Sequence, residues 1–191
     1  MIPIILSSII AVAIVIERLW VLRLQRIAPS GLVADLWREH TLGQLNGSRL
    51  RALQQGAPLE RIAASALAQP NAGSSQLRTR MEEAGRDEAY SLKRYLNTLG
   101  TVAAVSPLLG LLGTVFGMID VFAAIDIGDR RDTAALAGGI GQALVTTGAG
   151  LSVAIPALVA HRYLRGRVEM LTQHLEREAL RLMALMTREK A

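Results

Sequence analysis

The strongest constraint in this sequence is its division into three apolar blocks, each long enough to cross a lipid bilayer and almost free of charge. The first runs from Ile2 to about Leu22, the second from about Leu99 to Ile125, and the third from about Ala134 to Leu164. The hydrocarbon core of a bilayer takes about 20 apolar residues as a helix. Backbone in lipid must pair its own N–H and C=O groups, which leaves helices or closed barrels as the spanning structures. Three such blocks in 191 residues are hard to place as core helices of a soluble domain. The expected fold class is all-α: an integral membrane protein with three transmembrane helices, two of them extended as long cytoplasmic helices.

Orientation follows from the arginines. Arg23, Arg26 and Arg38 follow the first block; Arg78, Arg80, Arg86, Lys93 and Arg94 precede the second; Arg162, Arg165 and Arg167 follow the third. Positively charged loops stay on the inner side. The reading is therefore a spanning helix over 1–22 and a cytoplasmic helical loop over 23–98. A second span follows over 99–125, an outer loop over 126–133, a third span over 134–164 and a cytoplasmic tail over 165–191. The N-terminus lies outside and the C-terminus inside. The outer loop sets Asp126, Asp129 and Asp132 against Arg130 and Arg131. The first block begins almost at Met1 and is followed by Glu17-Arg18, which reads as a short N-terminus and not as a cleavable leader.

The segment over 23–98 carries helical patterning. Pro58 suits a first helical turn, and Gly73-Ser74-Ser75 reads as a break with an N-cap. Beyond it, Leu77, Met81, Ala84, Leu92 and Leu96 recur at helical spacing. With no strong breaker on the way, this pattern expects one helix of about 50 residues ending near Ile125. The tail repeats the stripe with Val168, Leu171, Leu175, Ala179, Leu182 and Met186. Two long helices cannot bury such stripes alone, so neighbouring copies of the chain are expected to help.

Within the spans, small residues share helix faces: Gly110, Gly113, Thr114 and Gly117 in the second, and Gly139, Ala143, Thr147, Gly150, Ala154 and Ala157 in the third. One reading is close helix packing in lipid. The other concerns the hydroxyls of Thr114 and Thr147, with Thr146 adjacent, which in an oligomer would form polar rings round a central space. Threonine can orient water or hydrogen-bond a guest side chain, but it does not titrate near neutral pH. No acid lies at the membrane centre. Glu17 and Arg18 sit at the inner end of the first span, where snorkelling or mutual pairing is expected; Asp120 is expected near the outer interface, and His161 and Arg162 lie at the inner end of the third. If protons cross, another polypeptide supplies the central carboxylate. Pro107 and Pro156 each remove a hydrogen bond from a span, and Ser152, four residues before Pro156, is placed to help satisfy the freed carbonyl region.

Other functions find little support. The chain has no cysteine, and its histidines, His40, His161 and His174, are scattered. No catalytic constellation is visible, and no metal or cofactor is expected. The Gly138-Gly139 and Gly148 to Gly150 stretches lack the preceding strand and the lysine of a phosphate loop. The net charge of +5 reads as topology, with no nucleic-acid motif behind it.

The stretches Gly110 to Ile119, Ala137 to Thr147 and Gly150 to Ala157, together with Ile16 to Trp20 and His161 to Arg167, resemble the MotA/TolQ/ExbB proton-channel family, ExbB-type chains above all. The resemblance implies a homopentamer of three-span subunits in a bacterial inner membrane, with the 126–133 loop periplasmic. Its pore would hold the helices of an ExbD-like single-span partner whose aspartate carries protons, and the complex would energise a TonB-like protein for uptake across the outer membrane. Thr114 and Thr147 match the family's pore threonines. TolQ-like and MotA-like motors are the alternatives within the family, and a non-transporting membrane scaffold is the alternative outside it. One departure is Gln142, where the family often has glutamate. At about 100° per residue it lies about 140° round from Thr147, so a structural or hydrogen-bonding role is expected of it. A second departure is the start of the first span almost at Met1, read as a shortened chain or an unusually short N-terminus, where ExbB-type chains usually have an additional outer segment.

Overall fold

Lipid-length apolar blocks and alternating amphipathic stripes fold here into helices throughout. The computed structural model describes residues 1–69, 72–127 and 133–188, and among these there is no strand. The helices are α1 (Ile2–Val21), α2 (Leu24–Ile27), α3 (Leu32–Thr41), α4 (Gly47–Gln54), α5 (Pro58–Leu67), α6 (Ser74–Leu92), α7 (Leu96–Ile127) and α8 (Thr133–Arg188). Three helical stretches, Ile2–Val21, Ser74–Ala123 and Ala137–Thr187, are long and apolar enough to cross a membrane. The outer-loop residues Asp129, Arg130, Arg131 and Asp132 lie outside the described residues.

The third long helix meets expectation: α8 is 56 residues without interruption. The second does not run unbroken. Helix covers most of the 50 residues from Ser74 to Ala123, but a turn at Lys93–Tyr95 separates α6 from α7. Neither glycine nor proline stands there, so the sequence pattern gave no sign of it; the backbone turns because Tyr95 adopts φ +62°.

The chain divides into two compact units. Met1–Arg18 with Tyr95–Leu164 forms the first. In α1 the buried side chains are Ile4, Ala11, Ile14 and Arg18, spaced so that they fall along one helix face. The remaining face leaves Ile2, Ile9 and Ile16 exposed, as α7 and α8 leave Leu108, Phe116, Phe122, Leu144 and Val159. Exposed apolar area on this scale fits a protein whose solvent is hydrocarbon.

Leu19–Arg94 with Arg165–Ala191 forms the second unit. Its interior is that of a small helical domain: Leu36, Leu53, Leu59, Ile62, Leu77, Leu171 and Leu182 are all but fully buried. The tail stripe turns inward as its spacing demands, with Val168, Leu171, Leu175, Leu182 and Met186 buried and Ala179 half-buried. Helix α5 begins at Pro58, and its Glu60 carboxylate accepts from the Ala57 N–H at 2.6 Å, satisfying one of the free donors of the first turn. Helix α6 begins at Ser74 with Gly73 as its cap residue. Where α1 ends, the Arg26 guanidinium stacks on the Trp20 ring at 3.6 Å, and Arg167 Nε donates to the Leu22 carbonyl.

One ion pair ties α5 to α6. Arg61 meets both Glu88 oxygens through the Nε–Nη2 edge of its guanidinium, with Nε to Oε1 at 2.6 Å, and donates from Nη1 to the Gly56 carbonyl. The Glu88 bond, followed by the field of Glu88 and Glu60, holds the Arg61 guanidinium above its ordinary value against the opposing effect of burial. A raised arginine keeps its share of the pair throughout the neutral and alkaline range, since that share is lost only as pH passes the raised value. Glu88→Gln removes the charge but keeps the shape, and the pair is only partly shielded. We expect a loss of about 1 kcal/mol in thermal unfolding of the detergent-solubilised chain, with the helix content of the folded protein unchanged by circular dichroism.

Candidate functional site

The polar groups of the spans are organised by the contact between α7 and α8. The two helices run antiparallel, since rising numbers on α7 meet falling numbers on α8. A Cβ added at Gly117 would stand 3.0 Å from the Ala143 Cβ. One added at Gly113 would stand 2.6 Å from the Thr146 Oγ1, and one at Gly110 3.0 Å from the Thr147 Cα. At Gly150 it would stand 2.6 Å from the Ser106 carbonyl oxygen, and at Gly139 it would strike Val121. The two small faces predicted separately on the second and third spans thus meet each other within one chain. At Gly110 and Gly150 glycine is required because backbone approaches backbone, and at Gly113, Gly117 and Gly139 because a facing side chain fills the space, the close packing that gives helix pairs in lipid their van der Waals attraction.

Along α7 the contact runs through Ser106, Gly110, Gly113, Gly117 and Val121, and along α8 through Gly139, Ala143, Thr146 and Gly150; Leu99, Ala103, Ala154 and Ala157, in the same rows, are buried. Steps of three and four are mixed and average close to the helical repeat of about 3.6 residues, so each row stays on one face of its helix over many turns. The stripe on α8 therefore passes through Thr146, which the sequence reading set beside the main face. Thr146 is 7% exposed, and its hydroxyl donates to the Ala143 carbonyl at 2.7 Å. Thr147 sits on the shoulder of the seam, half-buried, and its Oγ1 donates across to the Gly110 carbonyl at 3.2 Å. Thr114 lies on the opposite partner's shoulder, also half-buried, donating to the Leu111 carbonyl at 2.6 Å.

Other polar residues of the spans fall outside this seam or at its ends. Gln142 is exposed, one residue from the Ala143 that meets Gly117. Asp120 is exposed on α7. The Ser152 hydroxyl donates to the Gly148 carbonyl at 2.8 Å, four residues back. It therefore does not reach the carbonyl that Pro156 leaves free, which belongs to residue 152 itself. Ser106, fully buried, returns its hydroxyl to the Val102 carbonyl at 2.7 Å.

Two placements were not legible in the residues. The His161 imidazole packs on the Gly100 backbone, 3.1 Å from where a Cβ would be. At the inner end of α1, Arg18 is 4% exposed, pairs with the Glu17 carboxylate through two nitrogens, and lies 5.3 Å from the centre of the Tyr95 ring. The available signal for the first was a glycine near the inner end of the second span and the first ionisable residue at the inner end of the third. For the second, the adjacent opposite charges pointed to the Glu17–Arg18 pair, and nothing pointed to Tyr95.

What the arrangement can do chemically is narrow. Threonine hydroxyls donate and accept but do not carry a proton's charge, and no ionisable side chain occurs from 134 to 160. Among the described residues no group of His, Cys, Asp and Glu could hold a metal ion.

Long apolar helices joined by a glycine seam define a multi-pass, all-helical integral membrane protein. Residues 54–177 match the model of the MotA/TolQ/ExbB proton channel family. The chain belongs to that family, one of proton channels and not of enzymes. It is 34% identical to the ExbB-like 3 biopolymer transport protein of a Synechocystis species, over 83% of this chain and 76% of that one. It is 39% identical to the biopolymer transport protein ExbB of Neisseria gonorrhoeae, over 53% of this chain and 44% of that one. With the Tol-Pal system protein TolQ of Haemophilus influenzae it shares 41% identity, over 45% of this chain and 38% of that one. Against the last two, then, the match spans less than half of the relative's length.

Proposed function

We propose that this chain is an ExbB-like subunit of an inner-membrane complex driven by the proton-motive force. In this reading it assembles as a homopentamer with its N-terminus in the periplasm and its C-terminus in the cytoplasm. Residues 1–22, 99–125 and 134–164 cross the bilayer, 126–133 form the periplasmic loop, and 23–98 with 165–191 are cytoplasmic. An ExbD-like single-span partner supplies the proton-carrying aspartate, and the complex energises a TonB-like protein for uptake across the outer membrane.

One observation carries the reading. The α7–α8 seam consumes Gly110, Gly113, Gly117, Gly139, Gly150 and Thr146 in packing, yet leaves Thr114 and Thr147 half-exposed on its shoulders with no carboxylate beside them in the third span. A hydroxyl on such a shoulder can hydrogen-bond a protonated carboxyl from a neighbouring helix, and can hold the water that hands it the proton. The proton itself must ride on an acid from outside this chain. Neutralising that acid lets it face a low-dielectric wall, and ionising it draws it back to a hydrated site. Five subunits round a paired partner give a symmetry mismatch that favours rotation. The TolQ likeness supports a second reading, in which the same motor drives a TolA-like protein. Co-purification with a TonB-like or a TolA-like protein separates the two.

The test is proton flux into proteoliposomes holding the assembled chain, with and without its single-span partner. Flux only with the partner is the expected result. Equal flux without it would refute an acid from outside and turn attention to Asp120 and His161. No flux in either sample, once assembly and partner binding are verified, would favour a scaffold that does not transport.

A further inference from the structure

The α7–α8 seam has two sides, and the contacts along it assign two further polar side chains of the spans to one of them. Gly117 faces Ala143, and Gly139 faces Val121. Asp120 stands three residues after Gly117 and one before Val121; Gln142 stands three after Gly139 and one before Ala143. The two residues therefore hold equivalent positions on an antiparallel pair, each about 60° round from its seam glycine and on the same side. Thr114 and Thr147 each follow a seam residue, Gly113 and Thr146, and those two face one another. The threonines thus share the other side. Gln142, beside Ala143, lies near the level of Gly117, with Asp120 just beyond it along α7. Each Cα–Cβ bond tilts toward the N-terminus of its own helix, which on antiparallel helices brings these two side chains toward one another.

Both side chains are exposed, and neither has a hydrogen-bond partner among the described residues. Their surroundings are apolar: Phe116, one turn before Asp120, and Val145, one turn after Gln142, are exposed beside them. Asp120 is also the sole ionisable residue of 96–125 and 134–160 taken together. A polar group facing hydrocarbon is costly until another polar group pairs with it. We propose that Asp120 and Gln142 form a cross-helix acid–amide couple, the Gln142 amide N–H donating to an Asp120 carboxyl oxygen, which ties α7 to α8 on the side away from the threonines. Asp120 then serves the seam and takes no part in moving protons. That last assignment rests on the channel reading; the couple itself does not.

The chain has no cysteine, so introduced pairs report the two sides directly in the purified full chain in detergent. Asp120→Cys with Gln142→Cys should cross-link within the chain under mild oxidation, and Thr114→Cys with Gln142→Cys should not. Failure of the first pair, or equal cross-linking of both, would overturn the placement. A cycle of Asp120→Leu, Gln142→Leu and both together tests the bond. The unfolding rate of the double variant should depart by about threefold from the product of the single effects, the size of an interhelical hydrogen bond in a membrane protein. Simple additivity would overturn the couple. Asp120→Asn with Gln142→Glu carries the acid across to α8 and should unfold as slowly as the parent; unfolding as fast as a single leucine variant would count against the couple. That exchange decides the matter should a leucine variant fail to fold. Asp120→Asn alone keeps a hydrogen-bonding pair without the acid, so partner-dependent proton flux should stay within about twofold of the parent. A larger loss in folded protein would put Asp120 on the proton path. If the parent itself passes no protons, the channel reading fails, while cross-linking and unfolding still decide the couple.

Discussion

Replacing Gly150 by valine is expected to abolish the folded form of the membrane unit. The first atom of any side chain at this position would stand 2.6 Å from the Ser106 carbonyl oxygen, 3.0 Å from the Gly110 Cα and 3.2 Å from the Gly110 nitrogen. All three are backbone, so no rotamer change relieves the clash, and α7 must move away from α8. Overpacking of a close-packed interior costs about 1–3 kcal/mol even where side chains can give way, and here they cannot. Separation also breaks the Thr147 bond to the Gly110 carbonyl and opens the Gly113–Thr146 contact. The folded fraction in mild detergent, measured by thermal aggregation or protease resistance, should fall to the background. Gly148 supplies the control, because nothing lies within 4 Å of the Cβ it would gain. Gly148→Ala should retain the monomer fold, with a gain of up to about 1 kcal/mol from helix propensity. If that variant folds but fails to assemble, the exposed glycine face belongs to contacts between subunits.

Thr147→Val is the second large effect, and it falls on transport more than on stability. Valine keeps the shape and loses the hydroxyl, so the seam stays filled while the 3.2 Å bond to the Gly110 carbonyl disappears. The stability cost is about 1 kcal/mol. Partner-dependent proton flux should fall at least about tenfold, equivalent to a barrier raised by about 1.4 kcal/mol, and Thr147→Ser should keep most of it. Thr146→Val separates the two neighbouring hydroxyls. The Thr146 hydroxyl is turned into the seam and satisfied by its own helix, so its loss should leave flux within about twofold while the fold holds. This comparison at fixed geometry tests transition-state effects apart from folding. Equal loss in both valine variants would place the proton path along the seam and not on its shoulder.

Much of this was readable from residue types. The small stripes of the second and third spans were legible because lipid offers no hydrophobic drive, so glycine recurring at helical spacing has few other uses. The tail stripe from Val168 to Met186 was legible for the opposite reason: leucine and methionine recurring among charges must turn away from water. Within the site the reading was less sharp. Thr146 and Thr147 are both small, polar and adjacent, and a stripe about 100° wide accommodates either. Which of them faces Gly113 depends on the register of a second helix 30 residues away in sequence. Gly110 and Gly113 announced that something approaches closely, but not that the neighbour is the same chain. Glu17 and Arg18 read as a mutual pair or as side chains reaching toward the membrane surface; they pair, while the burial of Arg18 beside Tyr95 was not legible.

The sequence by itself determined the solvent and therefore the class: three apolar stretches of bilayer length, helical because lipid satisfies no backbone group, with the stripe residues set by helical period. These are local properties, fixed by composition and spacing along one helix. Only the tertiary structure decided that the two small faces meet within one chain, that Thr147 bridges to Gly110 while Thr146 is packed away, and that Tyr95 breaks a helix which its neighbours would continue. The first two outcomes depend on distances between residues far apart in the chain, where backbone contact at Gly110 and Gly150 outweighs local preference, and the third on the positive φ of Tyr95.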